Sequence, residues 1–242
     1  MLKADFHLHA KEDTQDWIAY TAKELVDLAV NKGFSVLSFT FHDVCFYPKE
    51  LVTYARKKGI LLLPGIEKTI EHKHVLLINY PLRDKKKIEQ IDNFSTLRKY
   101  LNSLKLVERE SLLTVFAHPR FWFIGMSKSV FRKNIDLADA LEYQSFRHVL
   151  YDFNEDILRL ASKYHKRTIG NTDAHLLNQF GHTYTNIVAK KEAKSIIQAI
   201  KRGKSNITSR SLSTMIVLAR IYLDVKTILR QTCFLLGLRK TL

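Results

Sequence analysis

Histidines and carboxylates recur in this chain where short apolar runs end. His7 and His9 stand two apart at the close of the run Ala4–Leu8. On a strand that spacing sends both imidazoles to one face, within reach of one metal ion. His42 follows the run Ser35–Phe41, Glu67 follows Ile60–Ile66, His118 follows Leu112–Ala117, and Asp173 and His175 follow Thr168–Gly170. Neutral imidazoles and carboxylates are ligands for Zn²⁺, Mn²⁺ or Fe²⁺. A carboxylate such as Glu67 can bridge two cations and offset their repulsion. Bridged metals lower the pKa of a shared water, orient a phosphate oxygen and stabilise a leaving oxygen. The two cysteines, Cys45 and Cys233, form no CxxC pair. That excludes a thiolate zinc site and a disulfide framework, and it fits a reducing, cytoplasmic setting.

The apolar runs that carry these residues read as strands, and longer amphipathic stretches separate them. Helices are predicted over Thr21–Lys32, stopped by Gly33, and over Lys49–Lys58, Ser95–Leu106 with Ser95 as N-cap, Asn154–Tyr164 and Glu192–Arg202. Ile60–Pro64, Val75–Tyr80, Ala140–Tyr143 and Thr183–Val188 read as further strands, and Arg83–Lys87 as a loop or helix start. Buried strands alternating with helices imply an α/β fold with a parallel sheet, open or closed into a barrel. Ligand-type residues at the C-terminal ends of several strands then have a structural meaning, because active sites of such folds form there.

Hydrophobic residues make up 46% of the 242 residues and charged residues 26%, a globular composition with ample core material. The opening MLKADFHLHA lacks the apolar core of a signal peptide, and no run of 18 uncharged apolar residues predicts a membrane span. The net charge is +15, which steers anionic partners such as nucleic acid, nucleotides or acidic lipid. Much of it lies late in the chain: twelve Lys or Arg stand against Glu192 and Asp224 from Lys190 onward. In the tail, Leu218, Ile221, Val225, Ile228 and Leu235 recur at helical spacing with Arg220, Asp224, Lys226 and Arg230 between them. The chain is therefore divided into a catalytic domain over 1–205 and a basic amphipathic helical tail over 206–242. The tail docks on the catalytic domain or on another subunit, or it lies on a membrane surface.

Taken in order, DFHLHA, FTFHD, PGIE, the His74 ahead of VLLINY, AHP and NTDAH resemble the motif series of the PHP (polymerase and histidinol phosphatase) family, from about residue 4 to 190. The resemblance implies a distorted (β/α)7 TIM-like barrel holding two or three divalent metal ions (Zn, Mn or Fe), and phosphoester hydrolysis. It implies His7, His9, His42, Glu67, His74, His118, Asp173 and His175 as metal ligands, with Glu67 bridging. Two positions depart from the pattern. Phe41 stands where the family usually has Asp. The family also places an Asp or His about five residues after H-x-H, where this chain has Thr14; Asp13 is taken as that ligand, with Asp16 the next candidate. His72, two before His74, competes for its role.

Softer candidates surround this set. Arg120 and Lys11 could grip a substrate phosphate, and Glu142 could orient a histidine. His182 could face the site, and Phe121, Trp122 and Phe123 could wall a pocket or pack in the core. The expected activity is a metal-dependent phosphoesterase in which a metal-activated hydroxide attacks a phosphate mono- or diester, with Glu67, Asp173 and His175 in catalytic roles. The substrate is nucleic acid, a nucleotide or a small phosphomonoester. Two alternatives are a module that binds nucleic acid or a partner protein, and a peripheral membrane enzyme that uses the basic tail.

Overall fold

The computed structural model describes residues 1–119, 125–147, 152 and 154–235. Arg120, Phe121, Trp122, Phe123 and the end of the tail lie outside the described residues. In chain order the elements are β1 (Leu2–Leu8), α1 (Ala22–Asn31), β2 (Val36–Phe39), α2 (Lys49–Lys57), β3 (Leu61–Leu62), β4 (Gly65–Ile70), β5 (Lys73–Ile78), α3 (Lys85–Glu89), α4 (Phe94–Ser103), α5 (Leu106–Ser111), β6 (Leu113–Phe116), α6 (Lys128–Asn134), β7 (Ala140–Tyr143), α7 (Asn154–Lys163), β8 (Arg167–Gly170), β9 (Thr183–Ile187), α8 (Ala193–Lys201), β10 (Ser205–Ser209) and α9 (Thr214–Leu235). The α/β class and the C-terminal helix follow the expectation.

The strands hydrogen-bond as two five-stranded sheets, in the orders β10-β9-β1-β2-β3 and β4-β5-β6-β7-β8. Neither is wholly parallel: β9 runs antiparallel to β1 and β10, and β4–β5–β6 is an antiparallel meander. The sheets meet through two isolated parallel bridges, Leu8 with Ala174 and His42 with Glu67. One apolar cluster fills the space between them. It takes Ala4 and Phe6 from β1, Val36 from β2, Leu76 and Ile78 from β5, Val115 from β6 and Ile169 from β8, with Ile196, Ile197 and Ile200 of α8 packed against it. Two further clusters pack helices on the outer faces: α1 and α2 on the first sheet, and α4 and α7 on the second.

Local chemistry explains the differences from the sequence reading. The hairpin joining β4 to β5 turns on Glu71 and His72, both at positive φ (49° and 62°), the geometry of a two-residue turn that matches strand twist. Glu67 is therefore inside a strand, not after one, and His74 is the second residue of β5. The cap of α4 is Asn93, which accepts from the Thr96 backbone and closes a capping box, so Ser95 lies within the first turn. β10 continues the first sheet beyond residue 205 through five paired positions with β9. α1 begins at a Thr21 capping box with Glu24 and buries Ala22, Leu25, Val26 and Ala29. No helix among the described residues is long and apolar enough to cross a membrane.

Candidate metal centre

β1 carries one residue more than β2 between their paired positions, Asp5 with Leu37 and Leu8 with Phe39. Such a bulge re-aims side chains locally. It brings the His7 and His9 rings to 5.1 Å between centroids at the end of the strand. The loops after β2, β6 and β8 deliver His42, His118, Asp173 and His175 to the same end. His118 and Asp173 adopt positive φ (28° and 47°), strained backbone of the kind that persists where surrounding contacts hold it. Asp173 is held by its own N–H, which donates to the His7 carbonyl at 3.0 Å.

Glu67 is the hub. Its Oε2 lies 3.0 Å from His7 Nε2, 3.2 Å from His9 Nε2 and 3.3 Å from His42 Nε2. Its Oε1 lies 2.7 Å from His74 Nδ1 and 3.2 Å from His118 Nε2. Asp173 Oδ1 is 3.5 Å from His7 Nε2 and 3.4 Å from His9 Nε2. Asp13 Oδ2 sits 2.9 Å from His9 Nδ1 and 3.1 Å from His42 Nδ1. Asp16 Oδ2 sits 3.0 Å from His175 Nε2 and 3.3 Å from His42 Nδ1. Ligands at about 2.1 Å from one ion in tetrahedral geometry lie ~3.4 Å apart, close to these separations. His9 Nε2 is buried yet hydrogen-bonds to neither carboxylate, leaving a ring nitrogen that a cation would satisfy. Four groups can each hold an ion: His9, Asp13, Asp16 and His42; His7, His118 and Asp173; His7, His9 and Glu67; and His42, Glu67 and His74. The donor set fits hard or borderline divalent ions.

Supporting contacts fix the ring orientations. His7 Nδ1 donates to Glu142 Oε1 at 2.8 Å, which turns Nε2 toward Glu67. Glu142 also accepts from Asn171 Nδ2 at 2.9 Å and from the His118 backbone at 2.8 Å. Behind the site, Asp5 accepts from the His7 and Thr172 backbones and from the Thr172 hydroxyl. Burial pushes its carboxyl up to about 7 against those donors.

Charge is dense and mutually compensated. Burial opposes ionisation of Glu67, but His7, His74 and His42 hold its carboxyl well below the usual range. Asp173 is likewise held well below, against burial, by His7 and Arg220. Asp13 and Asp16 are lowered, against burial, by their histidine neighbours. Burial pulls the His7 and His9 imidazoles down, yet the carboxylates around them carry both well above their ordinary value. His42 is raised for the same reason, whereas burial wins at His74 and lowers it.

The structure thus gathers His7, His9, Asp13, His42, Glu67, His74, His118, Asp173 and His175 in one cluster, with Asp16 among them. Lys11 is exposed, its charge acting on Glu24 of α1. Arg120 lies outside the described residues. His72 is exposed at the hairpin tip, away from the role in which it competed with His74. Phe41 is buried with its ring stacked over His9 at 6.5 Å and on Phe46 at 4.3 Å. Spacing did not single out Arg220 of α9, whose Nη1 donates to the Asp173 carbonyl at 2.8 Å.

A family model described as PHP-associated matches residues 152–205. No curated protein matches the sequence. Among solved structures, PsfC from Pseudomonas syringae is 16% identical at a TM-score of 0.66, over 93% of this chain and 98% of that one. The lesion-specific endonuclease PfuEndoQ from Pyrococcus furiosus is 16% identical at 0.59, and the match spans 85% of this chain but 57% of the endonuclease. An amidohydrolase from Chromobacterium violaceum with bound sulfate is 16% identical at 0.53, over 84% of this chain and 97% of that one. At these identities the likeness is one of fold. The resemblance of the motifs to the PHP family is borne out by the PHP-associated match over residues 152–205 together with this shared fold.

Proposed function

We propose that the protein is a metal-dependent phosphoesterase that hydrolyses a phosphate mono- or diester. The observation that carries this reading is the division of Glu67, with Oε2 turned to His7, His9 and His42 and Oε1 to His74 and His118. A carboxylate so placed suits two adjacent ions. Two or three divalent ions (Zn, Mn or Fe), when bound, would supply Lewis acidity, activating water and offsetting phosphate charge. His7, His9, His42, His74, His118, His175, Asp13, Asp173 and Glu67 would hold them, with Asp16 as a further donor. Glu67 and Asp173 keep their carboxylates ionised at neutral pH, as ligands must. His175, close to Asp16 at the edge of the cluster, is the group we assign to moving a proton near the leaving oxygen. We read the two sheets as halves of a distorted (β/α)7 TIM-like barrel, supported by their shared apolar interior and the two bridges between them. The boundary expected at 205/206 gives way to β10, whose pairing with β9 keeps residues 206–209 in the sheet, so the appended unit is read as the chain beyond β10, and the cytoplasm as the setting.

Nucleic acid is the favoured substrate class over a small phosphomonoester. It is supported by the basic excess after Lys190 and by the fold shared with a lesion-specific endonuclease. The test is hydrolysis by metal-stripped protein with Mn²⁺ or Zn²⁺ restored, on a generic phosphomonoester, a generic phosphodiester and a labelled oligonucleotide, beside Glu67→Ala. Metal-dependent cleavage that Glu67→Ala abolishes is expected. Turnover retained in that variant would overturn the assignment.

A further inference from the structure

Three cations gather beside the turn that holds His175. Gln179 braces that turn: its Oε1 accepts from the His175 backbone at 3.1 Å, and its Nε2 donates to the Asp173 carbonyl at 3.4 Å. The next residue, Phe180, offers its carbonyl to Lys32 Nζ at 2.8 Å. Lys32 in turn offers its own carbonyl to Lys3 Nζ at 3.0 Å. Lys3 lies 4.3 Å over the Phe34 ring and 4.1 Å over the Tyr184 ring. Arg210 follows β10, and its backbone N–H donates to the His182 carbonyl at 2.8 Å. Lys3, Lys32 and Arg210 thus share one stretch of surface that starts two residues from the brace on His175.

These charges act on one another. Burial lowers the Lys3 ammonium, and Lys32 and Arg210 lower it further. His182 is lowered by burial and by the same two cations. Among the described residues Lys3, Lys32 and Arg210 form no ion pair. The carboxylate that bears on Lys3 is Asp5, which is fully buried and engaged by Thr172. Solvated lysines of like charge are free to drift apart, but Lys3 and Lys32 are each held by a backbone carbonyl. An ammonium held by one acceptor keeps two further N–H donors. Like charges fixed together without a carboxylate raise the free energy of the folded protein until an anion offsets them. Lys32 and Arg210 are exposed, so that anion can come from solvent. Several fixed cations leading away from a phosphoesterase cluster suit a chain of phosphates better than a single one.

We propose that Lys3, Lys32 and Arg210 form a track for the sugar-phosphate backbone of a nucleic-acid substrate, next to the scissile phosphate. The inference rests on the nucleic-acid reading of the substrate. The experiment uses the full-length, Mn²⁺-loaded protein and a fluorescent single-stranded oligonucleotide with phosphorothioate linkages, which keep the charge and slow hydrolysis. Its Kd is measured by anisotropy across a series of salt concentrations. The parent is compared with Lys32→Gln/Arg210→Gln and with Lys194→Gln/Arg202→Gln. The second pair removes the same charge from exposed positions at α8, which joins the ends of β9 and β10 far from His182. Loss of two phosphate contacts is expected to weaken binding roughly 10-fold in the first pair and to lower the slope of log Kd against log salt by about 1.4. The α8 pair is expected to stay within twofold of the parent. Equal losses in the two pairs, or none in the first, would overturn the proposal. So would a loss confined to binding of inorganic phosphate, which would make the patch a site for a free ion. A parent that binds the oligonucleotide through the track but cleaves no phosphodiester would sink the functional reading and leave the track standing. A parent that cleaves a phosphomonoester yet does not bind the oligonucleotide would do the reverse. Should the first pair fail to fold, Arg210→Gln alone carries the test, with about half the change in slope.

Discussion

At the scale of residues, Glu142 braces the cluster without being grouped among its candidate ligands. Its carboxylate receives His7 Nδ1, the His118 backbone and Asn171 Nδ2, so it fixes the tautomer of one candidate ligand and the strained backbone of another. Glu142→Gln keeps the shape but puts an amide N–H against one of these donors. Loss of such a supporting partner costs roughly 10- to 100-fold in metal affinity or activity. The expected result is weaker Mn²⁺ or Zn²⁺ binding by that factor in a competition titration, with the far-ultraviolet circular dichroism unchanged; parental affinity would remove Glu142 from the site. The candidate ligands themselves were legible because metal chemistry demands particular residue types at strand ends, as at His7, His9, His118, Asp173 and His175. Asp16 stood only as second choice to Asp13, because a loop of seven residues after His9 has no periodicity to say which carboxylate turns inward, and in the fold both do. Arg220 was not legible as part of the site: it lies 45 residues beyond His175 among the interleaved charges of an amphipathic helix, and only tertiary packing returns it to the cluster.

At the scale of elements, β4 is where pattern and fold diverge. The run GIEKTI reads poorly as a buried strand because it carries a glutamate and a lysine. Both are buried for reasons local to the site. Glu67 enters the cluster, and Lys68, 3% exposed, pairs with Asp43 at 2.6 Å and donates to the Glu89 carbonyl at 3.0 Å. β10 was hidden for the opposite reason, since SNITS is polar, only half buried and strand-like chiefly through its pairing with β9. What seats β4 against β2 is Gly65. A Cβ there would stand 2.8 Å from Thr40 Cγ2 and 2.9 Å from the Phe39 carbonyl, so the strands would have to part. Two residues on, the bridge between His42 and Glu67 would part with them. Gly65→Ala is therefore expected to lower stability by about 1–3 kcal/mol, the usual cost of overpacking. It should also weaken metal binding, unlike an overpacking change far from the cluster. Denaturant melts and metal titrations of the same variant check both; parental values in the two would show that β4 has room to move.

At the scale of the whole molecule, the buried cluster links proton binding, metal binding and folding. His7, His9 and His42 have folded pKa values above their ordinary 6.5, because carboxylates face them. Their contribution to stability in the metal-free protein is full below 6.5 and is lost as pH rises through the raised values. Glu67, Asp13, Asp16 and Asp173 are shifted the other way, so their contribution is present above the ordinary carboxylate values and is lost as pH falls through the lowered ones. His74, lowered by burial, and Asp5, raised to about 7, act against their own kinds and narrow this window without reversing it. The metal-free protein should therefore be most stable in mildly acidic solution, between about pH 4.5 and 6.5. A divalent ion requires the same imidazoles to be neutral, so it takes over the charge balance as the protons leave. At a hundredfold excess over its dissociation constant it adds about 2.7 kcal/mol, or roughly 5–10 °C in Tm for a chain of this size. Thermal melts from pH 4.5 to 8.5, with and without Mn²⁺, should show the stability maximum moving to higher pH when metal is present and the gain from Mn²⁺ growing with pH. A metal-free maximum at pH 8, or a metal gain that shrinks as pH rises, would mean that the histidines are not balanced by protons in the way their neighbours dictate, and that the cluster is held together by something other than the charges it encloses.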